Sequence, residues 1–155
     1  MAPPFPAVVF DLDGTLTVPG TPRAAPGVVA LVEALGRAGV PLAVATSAPV
    51  RSARRVLDDL GLAPCFASVA GRGIDGRYGG KAAVVGEALL GLGITDAEPG
   101  AVMLGDAPAD LEAAAAHGLR PVGVAWGGAS AAELRAAGAV AVLGHPDELW
   151  SLRAS

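Results

Sequence analysis

The chain has 155 residues, of which 52% are hydrophobic and 17% are charged, and its formal net charge at pH 7 is −4. This length fits one domain, so residues 1–155 are predicted to fold as a single unit, and the apolar content excludes global disorder. The acidic balance argues against a nucleic-acid partner, because no basic stretch is present to displace counterions from phosphates. The single cysteine, Cys65, excludes an intrachain disulfide and a thiolate metal cluster.

The N-terminal segment MAPPFPAVVFD has no basic start and no long apolar stretch, so it is not predicted to be a secretion signal. No run in the sequence approaches the roughly 20 apolar residues that a membrane-spanning helix needs. We therefore expect a cytoplasmic protein that has no membrane partner.

Short apolar runs recur along the chain and predict strands. They cover residues 7–10, 41–46, 101–106, 121–126 and 139–144. Both alternating sets of positions are apolar in each run, which is typical of parallel strands that are covered on both faces. Residues 65–70 predict a sixth, weaker strand.

Helical patterns lie between these apolar runs. They cover residues 26–38, 50–60, 81–90, 108–117 and 130–137. Each helix is predicted to end at the next glycine along the chain, namely Gly39, Gly61, Gly91, Gly118 and Gly138. The alternation of strand and helix favours right-handed crossovers, and hence an α/β three-layer sandwich with a doubly wound, mostly parallel sheet.

Acidic side chains follow two of the predicted strands. Asp11 and Asp13 follow the run at 7–10. Asp106 is the last residue of the run at 101–106, and Asp110 lies four residues later. If these strands are neighbours, the carboxylates converge and need a cation, and hard oxygen ligands suit Mg²⁺. We expect the ion to lie between the Asp11–Asp13 pair and Asp106. The alternative is that Asp11 and Asp13 only cap a turn.

Candidate phosphate-binding groups lie at two other places in the chain. Thr46 and Ser47 end the second apolar run just before a predicted helix, where they either bind phosphate or serve as N-caps. Lys81 begins a helix, a position that works against the helix dipole and so favours a nearby anion. The alternative for Lys81 is an ordinary surface lysine.

These motifs resemble those of the haloacid dehalogenase superfamily of phosphohydrolases. The family's D-x-D-x-T motif matches residues 11–15, its second-strand Ser/Thr matches Thr46, its lysine matches Lys81, and its acidic motif matches Gly105-Asp106 and Asp110. The stretch MLGDAPADLEAAAAHGLRPVGVAWG is similar to phosphoglycolate-phosphatase-like members. The resemblance therefore implies the Rossmann-like fold of this superfamily.

The resemblance also implies roles for individual residues. Asp11 would be the nucleophile that forms an aspartyl-phosphate, and Asp13 would be the general acid and base. Mg²⁺ would be held by the Asp11 carboxylate, the Asp13 backbone carbonyl and Asp106, with Asp110 in support. Thr46 and Lys81, with Ser47 beside them, would bind the transferring phosphoryl group. An acid at position 13 favours a phosphatase or phosphotransferase over a dehalogenase.

The spacing of the motifs differs from that of phosphoglycolate-phosphatase relatives, which insert a helical cap between the first two motifs. Here only residues 16–45 lie between Thr15 and Thr46, and one predicted helix fills that interval. The chain is thus similar to capless members, which act on bulky phosphorylated substrates or use a neighbouring subunit as a lid. We expect a phosphorylated small molecule or a larger phosphorylated substrate, and a homo-oligomer is a hypothesis.

Two functional alternatives remain beside a Mg²⁺-dependent phosphatase. A phosphotransferase or mutase would use the same chemistry with another acceptor, and a non-catalytic member of the fold would only bind a ligand.

Two loops are candidate parts of the site. Residues 16–22 are interpreted as a small flap or a plain connection, and Arg72, Arg77 and Tyr78 of the Gly-rich loop before Lys81 are candidates for substrate contact.

Overall fold

The computed structural model describes residues 3–153, and six strands of this part form one parallel sheet. The strands are β1 Val8–Phe10, β2 Leu42–Pro49, β3 Ser68–Arg72, β4 Val102–Gly105, β5 Arg120–Val124 and β6 Ala141–Leu143. Their order in the sheet is β3-β2-β1-β4-β5-β6, and each adjacent pair is parallel. The predicted doubly wound α/β sheet is confirmed, including the weaker sixth strand, which starts three residues later than predicted.

Helices connect the strands. They are α1 Val28–Arg37, α2 Val50–Asp59, α3 Lys81–Gly91, α4 Pro108–Ala116 and α5 Ala131–Ala136, with short 3₁₀ helices at Ala63–Cys65 and Pro146–Leu152. None of the helices within residues 3–153 is long and apolar enough to cross a membrane.

One predicted helix end is wrong. The third helix includes Gly91, and the left-handed residue that follows it is Gly93, with φ of 77°. Gly91 instead allows α3 to approach β3 closely, because a Cβ atom at this position would lie 2.1 Å from Ser68 Oγ. The glycine at 91 is therefore explained by packing, whereas the helix end is set two residues later.

Two apolar cores lie on opposite faces of the sheet. Alternate residues of β1 face each side, so Val8 and Phe10 pack with α1 and α2, whereas Val9 packs with α3 and α4. The first core contains leucines and aromatic rings, including the edge-to-face pair Phe10–Phe66 with centroids 5.9 Å apart. The second core is rich in alanine, which lets α3 and α4 lie close to the strands. This arrangement gives the three predicted layers.

The connection from β1 to α1 contains no cap within the described residues. Residues 11–27 form a loop in which Thr17 makes isolated bridges with Asp13 and Ala24. The chain then enters α1 directly. The predicted capless arrangement is confirmed for the interval between the first two motifs.

Candidate active site

Three carboxylates meet where β1 and β4 end side by side. The register pairs Phe10 with Leu104, and the Asp11 N–H continues the pairing by donating to the Leu104 carbonyl at 3.0 Å. Asp106 follows β4, and Asp110 lies in the first turn of α4. One oxygen from each of Asp11, Asp106 and Asp110 lies within 4.8 Å of the others. These three side chains form an all-oxygen group that could hold a metal ion.

Lys81 is the internal counter-charge of this group. Its Nζ lies 2.7 Å from Asp11 Oδ1 and 2.8 Å from Asp110 Oδ1, and its side chain is only 9% exposed. The alternative of a surface lysine is therefore wrong. Two carboxylates of the chain already contact the ammonium, so the position of Lys81 at the start of a helix does not require an external anion.

Burial and charge perturb the acidic groups of this site. Desolvation and the neighbouring Asp110 raise the pKa of Asp11 well above its usual value, although Lys81 acts in the opposite direction. Burial likewise raises the pKa of Asp110, with a further contribution from Asp106. Burial alone would lower the pKa of Lys81, but Asp11 and Asp110 raise it overall. The ammonium of Lys81 thus contacts two of the three carboxylates, Asp11 and Asp110, whereas no cation of residues 3–153 lies within 4.0 Å of Asp106.

The Asp13 side chain lies apart from the three-carboxylate group. It is exposed, and its Oδ1 accepts a hydrogen bond from the Gly20 N–H at 3.0 Å. The carboxylates of Asp11 and Asp13 therefore do not both face the same candidate metal site, because the Asp13 side chain turns toward loop 16–22. The ligand atom that the family resemblance implies at this position, the Asp13 backbone carbonyl, stays a prediction.

Thr46 and Ser47 lie at the end of β2. Thr46 is 3% exposed, and its Oγ1 accepts a hydrogen bond from the Ala48 N–H at 3.1 Å, whereas Ser47 is exposed. The N-cap of α2 is Pro49, so neither hydroxyl caps that helix. The capping alternative is therefore wrong for both residues.

All the residues singled out in the sequence for chemistry line one open cleft of about 640 Å³: Asp11, Asp13, Thr46, Ser47, Lys81, Asp106 and Asp110. Thr17 and Thr21 also line it, so loop 16–22 borders the cleft, and its interpretation as a flap stays a prediction. Arg72 and Tyr78 complete the rim, whereas Arg77 of the same loop is not part of the lining.

Three glycines surround the carboxylates at distances that leave no room for a side chain. A Cβ atom would lie 2.1 Å from Asp106 Oδ2 at Gly14, 2.2 Å from Asp110 Cβ at Gly105, and 2.2 Å from Asp106 Cβ at Gly127. We call Gly14, Gly105 and Gly127 the glycine floor. It fixes the positions of the carboxylates because backbone atoms pack directly against them.

The loop after β5 is a part of the site that the sequence analysis missed. The Gly128 N–H donates to Asp106 Oδ2 at 3.1 Å, and Trp126 Nε1 donates to the Thr15 carbonyl at 2.9 Å. This loop therefore ties Asp106 to the first motif. The Trp-Gly-Gly sequence at 126–128, at the end of the apolar run 121–126, was the available signal.

Comparison with known proteins agrees with this geometry. A family model described as haloacid dehalogenase-like hydrolase matches residues 18–118. Two curated relatives, the tyrosine-protein kinase PtkA of Mycobacterium tuberculosis and that of Mycobacterium bovis, are 42% identical over 101 residues, which is 65% of this chain and 34% of theirs. The chain thus spans about a third of the length of these relatives.

Solved structures share the whole architecture. A "predicted phosphatase" from Clostridium acetobutylicum is 25% identical with a TM-score of 0.85, covering 95% of this chain and 97% of that one. Two further structures show the same fold, and each alignment covers 96% of this chain and 98% of the other chain. One is a haloacid dehalogenase-like hydrolase from Streptococcus pneumoniae, with 18% identity and a TM-score of 0.81. The other is a "predicted phosphoglycolate phosphatase" from Haemophilus somnus, with 16% identity and a TM-score of 0.77.

The family match includes Thr46, Lys81, Asp106 and Asp110, and the structure joins to them the Asp11 motif, which precedes the matched region. The expectation of an enzyme of this family, related in structure to small phosphatases, is confirmed. Since the family model covers well over half of its residues, the chain belongs to the haloacid dehalogenase-like hydrolases.

Proposed function

We propose that the protein is a Mg²⁺-dependent phosphatase that hydrolyses a phosphomonoester through an aspartyl-phosphate on Asp11. The observation that carries this proposal is the contact of the buried Asp11 carboxylate with Lys81, inside a cleft that also contains Asp106 and Asp110. A nucleophile, a cation for the phosphoryl oxygens and a set of metal ligands thus share one site.

The residues of the cleft fit a magnesium ion. The donor set consists of carboxylate oxygens, which Mg²⁺ prefers, and one oxygen from each of the three side chains lies within 4.8 Å of the others. Asp11, Asp106 and the Asp13 backbone carbonyl would hold the ion, with Asp110 in support. When bound, Mg²⁺ supplies positive charge that stabilises the phosphoryl oxygens.

Asp11 and Asp13 divide the chemistry of bond exchange. An Asp11 carboxylate oxygen attacks phosphorus as the bond from phosphorus to the leaving oxygen breaks, and Asp13 donates a proton to that oxygen. Water then attacks the phosphorus of the aspartyl-phosphate, the bond between phosphorus and the Asp11 oxygen breaks, and Asp13 takes up a proton from the attacking water. The exposed Asp13 carboxylate, held by the Gly20 N–H, has access to both solvent and the cleft.

Thr46, Ser47 and Lys81 bind the phosphoryl oxygens. The pKa of Lys81 lies above its usual value, because Asp11 and Asp110 outweigh the opposing effect of burial, so its ammonium is charged at neutral pH. A fixed cation beside the nucleophile stabilises the charge that develops on the transferring group. The hydroxyl of Thr46 and the backbone at the end of β2 contribute hydrogen bonds.

The test is phosphate release from a panel of phosphomonoesters, with and without Mg²⁺, by the wild type and by Asp11→Asn. Asn keeps the shape of the side chain but removes the nucleophilic charge, so we expect a loss of at least about 1,000-fold in kcat. Asp58→Asn, an exposed position of α2 outside the cleft, is the matched control and should retain full turnover. Retained turnover in Asp11→Asn would refute the nucleophile assignment.

A second candidate function is transfer of the phosphoryl group to an acceptor other than water. The observation that favours it is the 42% identity to curated relatives that are tyrosine-protein kinases. The experiment is incubation with γ-labelled ATP and a tyrosine-containing peptide, followed by detection of phosphotyrosine. Label in the peptide that is lost in Asp11→Asn supports transfer, whereas label found only as free phosphate supports hydrolysis.

A further inference from the structure

Arg72 has a defined place at the edge of the cleft. It is the last residue of β3, and its Nη2 donates to the Ser47 carbonyl at 3.1 Å. The same side chain lines the cleft that contains Asp11 and Lys81. The guanidinium therefore lies beside the proposed phosphate-binding segment without being part of the three-carboxylate group.

The backbone fixes this position. The register between β2 and β3 shifts after Ala45, so that Pro49 pairs with Arg72. Gly71 permits the close approach, because a Cβ atom there would lie 2.6 Å from the Ala48 carbonyl oxygen. The strand thus delivers Arg72 to the end of β2 at a distance that a side chain at residue 71 would prevent.

The charge of Arg72 is not neutralised within the described part of the chain. No carboxylate of residues 3–153 lies within 4.0 Å of its guanidinium nitrogens. Arg77 of the same loop differs, since its Nε lies 3.0 Å from Asp75 Oδ2 and its side chain is 90% exposed. Arg72 thus combines a defined position with several N–H donors that are free for an anion.

Arg72 also borders a second groove, of about 320 Å³, which Asp11 and Lys81 do not line. Arg51 and Ile74 are among the residues of this groove. Arg72 thus lines both the cleft that contains the nucleophile and a neighbouring groove that contains a second arginine and an apolar side chain. A leaving group that reached this part of the cleft would meet the guanidinium of Arg72.

We propose that Arg72 is a specificity-determining residue that binds a second anionic group on the leaving group of the substrate. This inference rests on the proposed function and narrows it to phosphomonoesters that carry a further carboxylate or phosphate. A planar guanidinium held by one hydrogen bond can donate two parallel hydrogen bonds to such an anion. Tyr78, on the rim of the cleft, offers a surface for the carbon chain between the two anionic groups.

The experiment compares n-alkyl phosphates with ω-carboxyalkyl phosphates of equal chain length, from three to six carbons. The enzymes are the wild type, Arg72→Gln, Arg72→Lys and, as the matched control, Arg77→Gln. We expect Arg72→Gln to lower kcat/KM for the carboxyalkyl esters by about 10- to 100-fold more than for the n-alkyl esters. Arg72→Lys should recover part of that difference, and Arg77→Gln should show none.

A binding measurement separates this inference from the proposed function. Calorimetry with 3-phosphonopropionate and n-propylphosphonate, neither of which can be hydrolysed, needs no turnover. The wild type should bind the carboxylate compound more tightly, and Arg72→Gln should remove that preference. If the wild type shows no turnover but still prefers the carboxylate compound in a way that depends on Arg72, the proposed phosphatase activity is refuted and the role of Arg72 is retained. Equal loss for both compound classes, or no preference in the wild type, would overturn the role of Arg72.

Discussion

Removal of the Lys81 charge is expected to destabilise the metal-free protein strongly. Lys81→Met keeps an unbranched side chain but leaves Asp11 and Asp110 without the ammonium that lies 2.7 and 2.8 Å from them. Breaking a buried ion pair by removing one partner costs about 3–5 kcal/mol. With a urea m-value of about 2 kcal/mol/M, the unfolding midpoint should fall by roughly 2 M.

The assay is urea unfolding in EDTA as a function of pH. Lys81 opposes the rise in the pKa of Asp11 and Asp110, so its removal raises both values further. The folded variant then holds more of the protons that the unfolded chain releases, so its free energy of unfolding should increase more steeply than that of the wild type as the pH falls from 7 toward the ordinary carboxyl pKa of 3.8. Mg²⁺ should also restore stability, because it binds only the folded site.

The double variant Lys81→Met, Asp110→Asn is the control for this reasoning. It removes one of the two carboxylates, so it should be more stable in EDTA than Lys81→Met alone. A loss of less than about 1 kcal/mol in Lys81→Met, or a pH dependence between pH 7 and 5 no steeper than that of the wild type, would refute the assignment of Lys81 as the counter-charge.

Two further substitutions test packing around the site. Gly105→Ala should lower the free energy of thermal unfolding by about 1–3 kcal/mol, because the new Cβ would lie 2.2 Å from Asp110 Cβ. Gly36→Ala in α1 has open space around it and should raise that free energy by about 0.5–1 kcal/mol. Equal effects of the two substitutions would contradict the packing argument. His117→Ala removes the 2.6 Å hydrogen bond to the Ala82 carbonyl and should lower the free energy of unfolding by about 1 kcal/mol. Amide exchange in the first turn of α3 should become faster, and unchanged exchange there would contradict the role of this hydrogen bond.

The order of elements could be predicted from the sequence because the strands are apolar, and the central strands β1 and β4 are buried at every position. A run such as 7–10 is apolar at every position, and this pattern has few explanations other than a central parallel strand. The parallel sheet then brings the residues after β1, β2 and β4 to one edge. The convergence of Asp11 and Asp106 could therefore be predicted on the condition that the strands before them are neighbours, and the structure meets that condition.

Side-chain direction could not be predicted in the same way. Asp13 turns away from Asp11 because its carboxylate accepts the Gly20 N–H, a contact that depends on the path of loop 16–22. The partners of Lys81 depend on the distance between α3 and α4, which alanine packing sets. Gly127 was missed because the Trp-Gly-Gly sequence does not itself show which side chain the backbone of the glycine would approach.

The glycine floor limits how this enzyme can be altered in the laboratory. Any side chain at Gly14, Gly105 or Gly127 would collide with Asp106 or Asp110, so a saturation library at these codons should return almost only the parental residue. Arg72 and Tyr78 face open space and can change without moving a carboxylate. Efforts to select new substrates should therefore concentrate their randomised positions on this rim.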